Sequence, residues 1–256
     1  MLSKRKLDIY IHKATFIKKD VLLPINNCSL SVLGRFFTCV RFNMSEKWIW
    51  LPDWASNLGI WEDDLMDVAP SANHVYVPYD QMSEFLDHPM DLPEFKKAST
   101  VVAWGLGALS LMCSASAEHK PGQKWILLSP YADFCDEIGN WTVPNLHFMA
   151  HQLSTTTEPA LKAFMELFED DFGDWQDDWF QNAKKYSAES LAKGLMYLAE
   201  HRVESVVPHN EDIQVVYGRL DTTVTPEWTL KLKAFLPKAE FKERPKAGHW
   251  PPMLLL

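Results

Sequence analysis

Six short apolar runs, Trp48–Leu51, His74–Val77, Thr100–Trp104, Lys124–Ser129, Gln214–Tyr217 and Ala239–Glu243, lie far apart in this chain with helical or loop-like segments between them. Tight hairpins would leave only a few residues between neighbouring strands. Wide, helix-length spacing instead calls for crossover connections and a mostly parallel sheet with helices on both faces. A chain of 256 residues, 47% of them hydrophobic, has the material for one such core with a small insertion. In a parallel sheet of this kind, chemistry is expected at the C-terminal ends of the strands.

The third run leads into Ala103-Trp-Gly-Leu-Gly107. Small residues at both ends of such a pentapeptide let a strand reverse sharply into a helix while the central residue is held in a strained conformation. That is the turn that presents a serine in the small-x-Ser-x-Gly elbow of α/β-hydrolases. Gly105 stands where the serine would be, so a covalent acyl intermediate cannot form on residue 105. Downstream, Val215-Val-Tyr-Gly-Arg-Leu-Asp221 ends a strand in a carboxylate, and Ala247-Gly-His-Trp-Pro251 places a histidine in a loop. Nucleophile position, acid, base is the chain order of that fold, with Asp221 as the acid and His249 as the base. Read without that order, Asp221 is a turn-forming aspartate before a helix from Thr225 to Leu236, and His249 is a structural histidine. Ser110 and Ser114 lie one or two turns beyond the elbow and do not replace the serine. Cys113 and Cys135 read as small buried hydrophobes.

With Trp48–Trp61, Leu127–Cys135 and Trp141 with Pro144 added, the chain from about Trp48 to Pro251 resembles the pimeloyl-acyl-carrier-protein methyl ester carboxylesterases of biotin synthesis. The resemblance implies an α/β-hydrolase fold and an oxyanion hole formed by the backbone N–H groups of Trp54 and Leu106. It also implies an acyl-carrier protein or small acyl ester as partner. Pro52 and Asp53 depart from the family's pattern, and a carboxylate at position 53 is unhelpful to a site that stabilises an oxyanion. The implied function is a carboxylesterase impaired by the loss of its nucleophile. The alternatives are hydrolysis by water that His249 activates in the space above Gly105, or a non-catalytic protein that binds an acyl ligand or a partner.

Residues 143–207 switch to helical periodicity and read as a helical lid inserted between two parts of the core, 44–142 and 208–256. Lys162, Lys184, Lys185, Lys193 and Arg202 offer this insertion to an acidic carrier, whereas Glu169-Asp170-Asp171, Asp174 and Asp177-Asp178 oppose it. Residues 1–43 differ in charge: eight Lys or Arg against two Asp or Glu give +6 within a chain of net −9, leaving −15 for the remainder. They read either as an upstream extension before Met44 or as an edge hairpin in which Leu7, Ile9 and Ile11 alternate with polar residues. The acidic balance argues against nucleic acid. No phosphate loop or metal-ligand spacing implies a cofactor. No apolar run reaches membrane-spanning length, and four cysteines without a secretory leader suggest a cytoplasmic protein. The chain stops soon after His249, at Pro251-Pro252-Met253 and three leucines, which predicts weak support for the histidine.

Overall fold

The computed structural model describes residues 28–33, 36–41, 46–114, 119–139, 141–167 and 175–256. The chain divides into two compact units, residues 1–44 and 45–256. In the first, β1 (Cys28–Leu33) pairs antiparallel with β2 (Phe36–Arg41), Cys28 opposite Arg41. The alternating stretch around Leu7 to Ile11, expected as an edge strand, lies outside the described residues.

The second unit is built on β3 (Lys47–Leu51), β4 (Asn73–Tyr76), β5 (Thr100–Trp104), β6 (Lys124–Leu128), β7 (Ile213–Gly218) and β8 (Glu240–Arg244). They form one six-stranded sheet in the order β4-β3-β5-β6-β7-β8, every pair parallel. Each coincides with one of the six apolar runs to within a residue or two. Strand β5 is buried along its whole length, as a central strand covered on both faces must be. At roughly 1.5–3 kcal/mol for each large apolar side chain taken from water, its Val101, Val102 and Trp104 anchor the middle of the sheet.

Helices α1 (Glu62–Met66) and α2 (Tyr79–Glu84) flank β4, and α3 (Leu106–Ser114) follows β5 directly. Among the described residues, four helices lie between β6 and β7: α4 (Val143–Thr155), α5 (Thr157–Leu167), α6 (Gln176–Ala183) and α7 (Ala188–Glu200). Local chemistry starts two of them. The hydroxyl of Thr142 accepts from the N–H of Asn145 ahead of α4, and that of Ser187 accepts from Ser190 ahead of α7. In α7 the residues Leu191, Gly194, Leu195 and Leu198 share one face and are buried. That face lies on the loop after β3 and on the start of α2: Leu191 carbonyl accepts from Trp54 Nε1 at 2.9 Å, and Ser190 carbonyl accepts from the Tyr79 hydroxyl at 3.1 Å. A Cβ at position 194 would come within 2.1 Å of the Tyr79 oxygen and 2.8 Å of Trp54 Cδ1, so only glycine allows this approach.

After β7 come α8 (Pro226–Leu230) and, after β8, α9 (Pro251–Leu255). The helix expected from Thr225 to Leu236 starts at Pro226 and tightens into a 3-10 turn, Lys231–Ala234. The end of the chain also differs from expectation. Pro251 and Pro252 occupy the first turn of α9, where their missing N–H groups would have no helical partner anyway, so the proline pair starts a helix. Leu254 of that helix is fully buried, its carbonyl accepts from Arg244 Nε at 2.8 Å, and His249 before it is buried rather than loosely held.

Candidate active site

Sheet order decides which loops meet. Chain progression runs from β3 outward to β4 and then returns across β3 to β5, so the loops leaving β3 and β5 diverge and open a crevice between them. Leu51 pairs with Ala103, and two residues farther along each strand stand Asp53 and Gly105.

The turn at Gly105 has the strained geometry expected of an elbow, with φ +49°. Gly107 needs its smallness, since a Cβ there would meet the Pro52 carbonyl at 2.8 Å and Leu51 Cβ at 3.0 Å. Helix α3 therefore begins almost in contact with the end of β3. Its first N–H, from Leu106, points at the carboxylate of Asp53 and donates to Oδ1 at 2.7 Å. The N–H of Trp54 donates to the same oxygen at 2.7 Å. The two groups anticipated as an oxyanion hole do converge, and an oxyanion already lies between them.

That carboxylate also fills the space above the elbow. A Cβ built on Gly105 would fall 2.1 Å from Asp53 Cγ, 2.2 Å from Oδ1 and 2.4 Å from Oδ2. The room anticipated there for a water is occupied by Asp53. Thus the glycine at residue 105 and the carboxylate of residue 53 are sterically complementary.

Asp53 Oδ2 faces His249 Nε2 at 3.2 Å, and His249 Nδ1 lies 2.9 Å from Asp221 Oδ2. Asp221 is buried and fully engaged. Its Oδ2 also accepts from the Ser129 hydroxyl at 2.7 Å, and Oδ1 accepts from the N–H of Val224 at 2.7 Å. The turn-forming and histidine-orienting readings of Asp221 are therefore both realised, one by each oxygen. Ser129, absent from the residues singled out in the sequence, sits at φ +41° at the end of β6; its only signal is its position at a strand end. Burial opposes a charge on His249, but the two flanking carboxylates outweigh it and raise the imidazole to about 10. Asp53, His249 and Asp221 thus stand in a row, with the proton of the imidazole held between the two acids.

Other candidates are placed elsewhere. Ser110 donates to Leu86 carbonyl and Ser114 to Ser110 carbonyl, inside the α3 packing. Burial pushes the thiols up, Cys113 to about 12 and Cys135 to about 11, which suits inert apolar residues. Lys162 and Lys184 lie over the ring of Phe180, while the acidic residues 169–171 and 174 are outside the described residues.

Asp53 and His249 open onto a cavity walled largely by aromatic side chains, among them Trp104, Tyr131, Phe164 and Trp179. Among the described residues they are its only ionisable walls apart from the Tyr131 phenol, whose burial and proximity to Asp53 keep it neutral. Helices α5 and α6 close one side: Phe164 meets Trp54 edge-on at 4.7 Å and stacks on Trp179 at 5.7 Å. Trp104, which the sequence marks only as a neighbour of Gly105, is also a cavity wall. It packs 5.3 Å from His249, and its buried indole N–H has no acceptor among the described residues. The described residues contain no cluster of His, Cys, Asp and Glu able to hold a metal ion, and no helix long and apolar enough to cross a membrane.

No protein-family model and no curated protein matches the sequence. Solved structures do match the fold. An esterase from Exiguobacterium antarcticum superimposes with a TM-score of 0.63 at 13% identity, over 80% of this chain and 85% of the other. A hydrolase from Oleispira antarctica gives 0.65 at 10% identity, over 89% of each chain. A mutant form of an epoxide hydrolase from Bacillus megaterium gives 0.57 at 14% identity, over 90% of this chain and 93% of the other. The chain has the α/β-hydrolase fold.

Proposed function

We propose that this protein is a carboxylesterase-type hydrolase scaffold in which serine-dependent ester hydrolysis has been lost while the acyl-binding cavity is kept. The observation that carries the reading is the position of Asp53, with one oxygen held by both N–H groups of the hole and its Cγ in the space of the missing serine side chain. An ester carbonyl cannot enter a hole that holds a carboxylate, and residue 105 has nothing to acylate. Turnover by water activated on His249 gains no support, because the imidazole is already protonated at neutral pH and its Nε2 faces Asp53.

The aromatic walls favour an apolar group. A negative end beside the cavity disfavours free carboxylates, so a neutral, methyl-capped acyl chain fits better than the corresponding acid. Among ligands of that kind, the methyl ester of pimeloyl carrier protein implied by the sequence resemblance is the first to test. Hydrolysis of p-nitrophenyl butyrate and of methyl pimeloyl carrier protein is to be compared in the wild type, Gly105→Ser and the double variant Asp53→Gly/Gly105→Ser. The reading expects activity in the double variant alone. Ester hydrolysis by the wild type that disappears in His249→Ala would overturn it.

A further inference from the structure

The loss of serine chemistry leaves a second question, namely what the carboxylate installed in its place does. We infer that Asp53 is itself a nucleophile, and that the site hydrolyses an apolar alkyl carbon bearing a leaving group that departs as a stable anion, such as an alkyl halide, through an ester on Asp53.

The geometry supplies each part of that sequence. Oδ2 is the oxygen turned away from the hole, and the carboxylate it belongs to walls the aromatic cavity. Its attack on an sp3 carbon forms the C–O bond while the carbon–halogen bond breaks, the electron pair leaving with halide. The product is an alkyl ester whose carbonyl oxygen is Oδ1, already 2.7 Å from the N–H groups of Trp54 and Leu106. An ordinary plug would need only to fill the hole. Here the contact is arranged so that hydrolysis of an Asp53 ester builds its negative charge on the oxygen both donors hold, at the N-terminus of the nine-residue α3.

Esterification also changes His249. The resting imidazolium lies between two carboxylates, and alkylation removes the charge of one, so the proton is released to solvent and the imidazole becomes a base. It then takes a proton from water, whose oxygen attacks Cγ of Asp53. Collapse of the tetrahedral adduct breaks the bond from Cγ to the alkyl oxygen, and His249 returns its proton to the departing alcohol. The acid proton left on Asp53 passes to His249 and restores the imidazolium, so the balance is alkyl halide plus water to alcohol, halide and one proton. Asp53 is regenerated with one oxygen from water.

The test uses the full chain with 1-bromohexane in H2(18)O. Expected are bromide release by the wild type, 18O in the peptide containing Asp53, and accumulation of a hexyl ester on Asp53 in His249→Ala. In Asp53→Asn bromide release should fall on the order of 10⁴–10⁶-fold. Peptide mapping separates an Asp53 ester from alkylated cysteine. Bromide release no faster than in Asp53→Asn, with the Asp53 peptide unlabelled, overturns the inference, as does hexylation confined to cysteines. The 18O measurement needs no variant and so survives a failure of His249→Ala to fold. It is independent of ester hydrolysis by the wild type, which tests the preceding proposal.

Discussion

A Cβ atom on residue 105 would lie 2.1 Å from Cγ of Asp53, so these two positions cannot both carry side chains in the observed arrangement. Gly105→Ser alone should force Asp53 out of the hole at a turn already at φ +49°, and overpacking of this kind costs about 1–3 kcal/mol. Thermal unfolding should show a lower Tm for Gly105→Ser and recovery of part of the loss in Asp53→Gly/Gly105→Ser. Equal Tm values for the single variant and the wild type would show that Asp53 does not occupy this space.

The raised His249 pKa sets a pH window. With the folded value at about 10 and the unfolded value near 6.5, the folded chain keeps a proton that the unfolded chain releases. The resulting stabilisation is complete below pH 6.5, declines above it and is gone beyond about pH 10. Between about pH 7 and 10, Tm of the wild type should fall more steeply than that of His249→Gln. In Asp53→Asn one of the two carboxylates that hold the proton is gone, and an NMR titration of the imidazole should find its pKa lowered.

Gly218, at the end of β7, packs against the backbone just before the same histidine. A Cβ there would meet the carbonyl oxygens of Ala247 and Gly248 at 2.3 Å, and backbone cannot swing aside as a side chain can. Gly218→Ala should therefore destabilise by about 1–3 kcal/mol. It should also push the His249 loop off Asp221, seen as a drop of the imidazole pKa toward its ordinary value. Stability lost with the pKa unchanged would place the strain elsewhere.

Residues 45–256 contain the whole six-stranded sheet and every group of the candidate site. A chain starting at Met44 is expected to fold with a Tm close to that of the full chain. Circular dichroism melts of the two would check this, a large loss of stability assigning residues 1–43 a part in the core.

The strands are legible in the sequence because burial on both faces writes itself as short continuous apolar runs, and Asp221 and His249 because their order along the chain is fixed by the fold. Asp53 is visible there only as an awkward substitution. Its meaning depends on β3 lying beside β5, a pairing that no local pattern encodes and that carries Leu51 opposite Ala103. Asp53 and Gly105, taken as a pair across two neighbouring strand ends, are the available signal. The support of His249 is hidden for a different reason: the Pro251-Pro252 pair looks like an ending, although prolines in a first helical turn are a beginning.

Fluorophosphonate reagents that profile serine hydrolases in whole proteomes need a hydroxyl to phosphonylate and a vacant pair of N–H groups to receive the phosphoryl oxygen. With Gly105 at the elbow and Asp53 between Trp54 and Leu106, this elbow offers neither, and such reagents should leave residue 105 unlabelled.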